Sequence, residues 1–116
     1  MGKFLIRQTR KGYKFDLLAT NGQVVASSET YNTEAACRKG MESVAKCAPC
    51  AKVADLTEDW PSATNPKFEL YQDKAGQFRF RLKARNGQII AVSEGYKTKT
   101  ACENGIDSVR KNAVEE

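Results

Sequence analysis

FDLLATNGQVVASSETYNTEAACRKGMESVAK, residues 15–46, lies over FRLKARNGQIIAVSEGYKTKTACENGIDSVRK, residues 80–111, when the chain is shifted by 65 positions. Coinciding residues include Phe15 with Phe80, Asn21-Gly22-Gln23 with Asn86-Gly87-Gln88, Ser28-Glu29 with Ser93-Glu94, and Tyr31 with Tyr96. Further along, Thr33 matches Thr98, Ala36-Cys37 matches Ala101-Cys102, Gly40 matches Gly105, and Ser43-Val44 matches Ser108-Val109. About half of the aligned positions are identical, and differences such as Met41 against Ile106 are conservative. Repetition at a fixed offset over this length marks an internal duplication. The fold question therefore reduces to the fold of one unit.

Each unit reads as three strands and a helix. A first strand (Phe4 to Gln8; Phe68 to Gln72) leads through a Gly-containing turn to a second (Tyr13 to Thr20; Phe78 to Arg85), then Asn-Gly, then a third. Asn-Gly tolerates positive φ at both central positions of a two-residue hairpin turn, so Arg85 is expected to pair with Gln88 and Lys83 with Ile90. Thr33 and Thr98 are expected N-caps, because a hydroxyl there accepts an orphan backbone N–H. The following helices place Ala36, Cys37, Gly40, Met41, Val44 and Ala48, or Ala101, Cys102, Gly105, Ile106, Val109 and Ala113, on one apolar stripe. Gly costs about 1 kcal/mol against Ala inside a helix, so its presence in both copies predicts close approach of the helix backbone to the sheet. Ala51 to Leu56 alternates and predicts a further strand in the first copy.

The pattern N-G-Q-[VI]-[VI]-A-x-S-E-x-Y-x-T followed by A-C-x-x-G-[MI]-[DE]-S-V-x-K resembles the YegP-like family of unknown function, small bacterial proteins that often hold two such repeats. The resemblance covers nearly the whole chain. It implies an α+β fold in which two tandem β3-α(-β) repeats form one antiparallel sheet with helices packed on one face, the last strand of each unit crossing to pair with the other. The expected organisation is a first repeat over residues 1–59, including a fourth strand near 51–56. A linker over 60–66 and a second repeat over 67–116 follow. The second copy ends at NAVEE with no counterpart to Ala51–Leu56, a departure from symmetric strand exchange. The resemblance supplies no catalytic or binding residues. Trp60, the sole tryptophan, is expected to pin the linker to the core.

With 116 residues, 41% of them hydrophobic and 28% charged, the chain has the composition of one compact globular unit that needs no disulfides. No apolar run approaches the roughly 18 residues that span a bilayer. The N-terminus lacks the apolar core of an export signal and the complete pattern of a myristoylation signal, so the expected location is the cytoplasm, with reduced thiols. The net charge of +5 divides as 9 basic and 7 acidic residues up to Asp59, and 10 basic and 7 acidic after it. This permits an acidic partner without requiring one.

Cys47 and Cys50 stand in a Cys-x-x-Cys spacing, the pattern of a redox couple or half a zinc site. Their place at the end of the first helix, before the stop signal of Pro49, argues against redox chemistry. The helix dipole stabilises thiolates at the N-terminus and opposes them at the C-terminus. A structural zinc needs four N or S ligands, the chain has no His, and Cys37 and Cys102 lie on apolar stripes of separate helices. Cys37 and Cys102 are expected to be buried as small hydrophobes. A thiol or metal role for Cys47 and Cys50 is the third-ranked function. With no His, no phosphate loop, no nucleophile elbow and no close carboxylate pair, the sequence predicts no enzyme and no cofactor. The repeated Glu29 and Glu94 are read as satisfying backbone donors near each helix start, with Tyr31 and Tyr96 packed beneath.

In the second strand of the second copy, Phe78, Phe80, Leu82 and Ala84 alternate with Arg79, Arg81, Lys83 and Arg85, so the basic set is expected on the face opposite the helices, near Tyr71. The same face of the first copy has Arg7, Lys14, Asp16, Leu18 and Val25. Two functions suit such a face. The first-ranked is a non-enzymatic protein-interaction or self-association module, with a protein partner or homodimer meeting exposed apolar residues or a sheet edge. The alternative is weak, non-specific nucleic-acid or polyanion binding through Arg79, Arg81, Lys83, Arg85 and Tyr71. The inward-pointing phenylalanines weaken that alternative, because sheet-based single-strand readers display aromatics outward.

Overall fold

The computed structural model describes residues 3–57 and 64–113. The first half forms β1 (Lys3–Thr9), β2 (Gly12–Leu18), β3 (Val24–Ser27), α1 (Glu34–Cys47) and β4 (Lys52–Asp55). The second forms β5 (Lys67–Gln72), β6 (Phe78–Lys83), β7 (Ile89–Val92) and α2 (Lys99–Asn112). Among the described residues the strands make one seven-stranded sheet in the order β1-β2-β3-β7-β6-β5-β4. The halves meet at the antiparallel β3–β7 pair, joined through Ser27 and Val92. From that seam β3, β2 and β1 fan out on one side and β7, β6 and β5 on the other in mirrored order, with β4 added beyond β5.

The sheet is mixed, not antiparallel throughout as the resemblance implies. β4 leaves the first half after α1, crosses to the second and pairs parallel with β5, matching Val53 to Phe68 and Asp55 to Leu70. Eleven residues separate β4 from β5 in sequence, so no tight hairpin fixes the two strands as antiparallel. The crossing itself follows the expectation. Asp55 Oδ2 pairs with Lys99 Nζ at 2.6 Å, and Arg110 Nη2 donates to the Ala51 carbonyl at 2.5 Å, so both ends of the crossing segment are tied to α2.

The turns differ from the two-residue reading. Among the described residues none other than Gly has positive φ, and in these loops Gly22 (φ 84°) and Gly87 (φ 85°) do so. The Gly87 N–H donates to the Ala84 carbonyl at 2.9 Å, and the Ala84 N–H to the Gln88 carbonyl at 2.9 Å. The loop is therefore Arg85-Asn86-Gly87, a right-handed turn closed by one left-handed Gly. The Asn86 Oδ1 accepts from the Gln88 N–H at 3.0 Å, which holds Asn86 at negative φ. The extra residue shifts the ladder between Leu82 and Lys83, so Lys83 pairs with Ile89 and not Ile90, while Leu82–Ala91 and Arg81–Val92 keep their expected register. The first half repeats this shift between Leu17 and Leu18.

Both helices lie on one face. Thr33 and Thr98 cap them as expected, each Oγ1 accepting from the N–H three residues on, at 3.1 and 3.0 Å. Glu29 and Glu94, expected near those donors, are exposed; the caps are the threonines. Phe15, Leu17, Phe80, Leu82, Val44, Val109, Cys37 and Cys102 are fully buried between sheet and helices. The Gly expectation has a specific cause. A Cβ on Gly40 or Gly105 would overlap the hydroxyl of Tyr31 or Tyr96 and lie 2.7 or 2.9 Å from its Cζ. Those tyrosines stack on Phe15 and Phe80 at 6.3 and 6.4 Å between centroids, wedged beneath the helix. Trp60, the Glu115–Glu116 end and most of the 60–66 linker lie outside the described residues.

Candidate functional site

The basic strand β6 is less free than its sequence suggests. Glu69, on the neighbouring β5, is 5% exposed and receives three cations: Arg81 Nε at 2.7 Å, Lys83 Nζ at 3.3 Å and Lys67 Nζ at 3.5 Å. Burial raises its carboxyl, but the bonds from Arg81 and Lys83 outweigh that cost and hold it below the ordinary glutamate value. The Arg81 guanidinium also covers the Tyr71 ring at 4.7 Å from the centroid. Arg79 Nε bonds Asp73 Oδ2 at 2.6 Å, and that bond lowers the Asp73 carboxyl below its usual value. Arg85, expected in the same row, lies in the exposed loop beyond the end of β6. Of the predicted residues, the fold therefore brings Arg81 and Lys83 to a shared carboxylate with Tyr71 beneath Arg81, pairs Arg79 elsewhere, and sets Arg85 apart.

The first half builds the same face with reversed polarity. Where β5 supplies the acid and β6 the base, Arg7 of β1 donates to Asp16 of β2 at 3.0 Å, and Ser27 Oγ donates to the other Asp16 oxygen at 2.7 Å. A second repeated device escaped the sequence reading. Ser28 and Ser93 are buried, each accepting the N–H of Phe15 or Phe80 at 2.9 Å and donating to the next residue's carbonyl. The identical Ser-Glu in both copies was the available signal, and it belongs to the backbone where β3 and β7 end.

The cysteines divide by position. Cys37 and Cys102 are completely buried on the inner stripes, as expected, and burial pushes both thiols up, Cys102 to about 11. Cys47 is buried in the core while Cys50 is exposed, and the link between them is the Cys50 N–H to Cys47 carbonyl bond at 3.1 Å in the turn that ends α1. Among the described residues no three Cys, His, Asp or Glu side chains converge on one point. Glu29 lines an open groove of about 510 Å³ at the seam between the halves, together with Tyr31 and Lys83, and is the one carboxylate among the described residues that line it.

The feature with the clearest consequence is an asymmetry between the two ends of the sheet. Lys3, Phe4, Leu5 and Ile6 of β1 hold the positions that Lys67, Phe68, Glu69 and Leu70 hold in β5. Both strands pair with the next in the same register, Phe4 with Leu17 and Phe68 with Leu82, Ile6 with Phe15 and Leu70 with Phe80. Phe68 and Leu70 are 0% exposed, because β4 covers that edge and Arg110 lies over the Phe68 ring at 5.4 Å. Phe4 and Ile6 are only half-buried, Leu5 is 49% exposed, and Ala45 stands where Arg110 stands in the other half. The Leu56 N–H donates to the Leu70 carbonyl at 2.8 Å, so the carbonyl of Leu70 faces outward to β4. By the shared register the carbonyl of Ile6 faces outward too. Backbone groups alternate sides along an antiparallel strand, so Phe4 and Gln8 join Ile6 in presenting theirs to the open edge.

Comparison with known proteins agrees with this architecture. The family described as a domain of unknown function (DUF1508) matches residues 9–55 and again 73–116. The UPF0339 protein YegP of Yersinia pestis is 35% identical over 115 residues, covering 98% of this chain and 90% of that protein. A UPF0339 protein in the ptx operon 5′ region of Stutzerimonas stutzeri is 65% identical over 49 residues, 42% of this chain; the chain spans less than half, 44%, of that relative. The solution NMR structure of the protein of unknown function yegP from E. coli superposes with a TM-score of 0.81 at 30% identity, covering 99% of this chain and 88% of that one.

Proposed function

The chain belongs to the DUF1508 family of domains of unknown function, and for it we propose a non-catalytic role as a protein-interaction module that receives a partner's strand on the open edge of β1. The observation behind this reading is the internal comparison: Phe68 and Leu70 are sealed by β4, while the equivalent Phe4 and Ile6 stay half-covered beside an exposed Leu5. Among the described residues β1 is a seven-residue edge strand whose outward backbone groups meet no partner strand, and with its apolar flank it is the kind of edge that strand addition uses. The other outer strand, β4, is four residues long and bears Lys52 and Asp55, a short charged edge that resists pairing. Self-association through two β1 strands is disfavoured, because each antiparallel pairing sets Lys3 and Arg7 of both copies along one seam. Polyanion binding on β6 is less favoured, because Asp73 and Glu69 already offset the charge of Arg79 and Arg81.

The test is selection of binders from a random library of linear peptides, followed by hydrogen exchange on the chain. Selected peptides are expected to slow exchange at Phe4, Ile6 and Gln8, and to bind poorly to Gln8→Pro, which removes one outward N–H and leaves the β1–β2 ladder intact. A folded Gln8→Pro chain that binds the same peptides equally well, or protection that falls elsewhere, overturns the reading. So does failure of the library to yield any binder.

A further inference from the structure

The same edge specifies the chemistry and direction of what it receives; this step rests on the strand-addition reading. Residues 3–18 contain five basic residues, Lys3, Arg7, Arg10, Lys11 and Lys14, and one acid, Asp16. Asp16 is committed to Arg7 and Ser27. Lys3, Arg10 and Lys11 are exposed, and along with Lys14 have no carboxylate partner among the described residues. The positive charge thus concentrates along one strand and its turn. Among the described residues no carboxylate on that edge is left to pair with a further cation.

Direction comes from the other half. There the added strand runs parallel to its neighbour and bonds the outward carbonyl of Leu70. Ile6 offers the equivalent carbonyl in the same register, above the same kind of apolar floor: Phe4 and Ile6 for Phe68 and Leu70, Met41 for Ile106. On the opposite face Ala54 is 2% exposed beside Glu69, and Leu5 stands in place of that glutamate. A small apolar side chain is therefore the fitting neighbour for Leu5. We propose that β1 receives an extended acidic segment of a partner protein, aligned parallel to β1, placing small apolar side chains against Phe4, Leu5 and Ile6 and carboxylates against the Lys3, Arg10 and Lys11 cations.

The experiment uses the isotope-labelled 116-residue chain and synthetic peptides of about ten residues. One peptide alternates Val or Ala with Glu; a second replaces each Glu by Gln and a third by Lys, with a nitroxide at either terminus. The Glu peptide is expected to bind at least about tenfold more tightly than the Gln version, to weaken as salt rises, and to lose binding on Lys3→Ser/Arg10→Ser/Lys11→Ser. A nitroxide at its N-terminus is expected to broaden the Lys3 end of β1, and one at its C-terminus the Thr9 end. Equal affinity for the Glu and Gln peptides, or broadening in the reverse order, overturns this inference while library-derived peptides on the same edge leave strand addition standing. Displacement of the Glu peptide from β1 by a random single-stranded oligonucleotide of equal charge also overturns it, since a backbone-bonded strand is not replaced by charge alone. Loss of β1 protection with every peptide, library-derived ones included, overturns both.

Discussion

Gly105 sits inside α2 at a position where helix propensity alone favours Ala by about 1 kcal/mol. The Tyr96 hydroxyl and Cζ occupy the space that a Cβ needs, and Phe80 Cε2 stands 3.0 Å away on the other side. Phe80 has no open space to withdraw into, since it is fully buried and stacked on Tyr96. Gly105→Ala is therefore expected to destabilise the chain by about 1–3 kcal/mol in urea denaturation, the cost of overpacking a filled core. In a Tyr96→Leu background the penalty is expected to shrink by about 1 kcal/mol or more, as contacting residues couple. An unchanged penalty in that background would mean that the tyrosine is not what excludes the methyl. The glycine was legible in sequence as a point of close approach, because both copies keep it at the same helical position. The tyrosine beneath it was legible as packing. What the sequence did not reveal was the contact between them, which depends on β3 and β7 ending where Ser28 and Ser93 capture the backbone of β2 and β6.

At the scale of single elements, helices were read more accurately than turns. The apolar stripe and threonine caps are local, and each helix follows from residues within a few positions of one another. The hairpin loop depends on a choice between two closures that Asn-Gly permits. The Asn86 side chain bonding the Gln88 N–H tips it toward the longer loop and shifts Lys83 by one partner. The β6 charges follow a related rule: alternation places Arg81 and Lys83 on one face, but their anchor is Glu69 on another strand. That anchor makes a pH prediction. The folded Glu69 carboxyl is lowered, so its ionised form contributes stability that is complete above the unfolded value, near 4.3. It is lost as pH falls through the lower folded value. Glu69→Gln is expected to be less stable at neutral pH and to lose less on acidification between about pH 5 and pH 2, measured by thermal melts across that range. Asp55, also lowered, retains part of the slope in the variant. Parallel acid profiles for the two proteins would show that the cluster contributes no net stability.

For the whole molecule, the likeness of the two halves organises the sheet, and β4 makes its two outer edges differ among the described residues. That Phe68 and Leu70 are sealed while Phe4 and Ile6 are half-covered is not readable in sequence, because exposure depends on which strand lies outermost among the described residues. The seam between the halves has its own consequence. The β3–β7 ladder registers only Ser27 with Val92, too little backbone pairing to hold two domains together. The helices supply the rest: α1 packs on β2 and β7, and α2 on β6 and β3, so each lies across both halves. The cores of Phe15 and Phe80 are consequently parts of one cluster, which includes Val44 from α1 and Val109 from α2. Unfolding either half strips the apolar cover from the other, and the chain is expected to unfold in one cooperative transition. Val44→Ala, which empties a fully buried site in the first half, is expected to cost about 2 kcal/mol and to lower the hydrogen-exchange protection of Phe80 and Leu82 in β6 by the same amount as that of Leu17 in β2. Protection in β6 that stays at its original level while β2 weakens would show two independently stable units, and would remove the case for reading the β1 edge against a sheet held rigid from end to end.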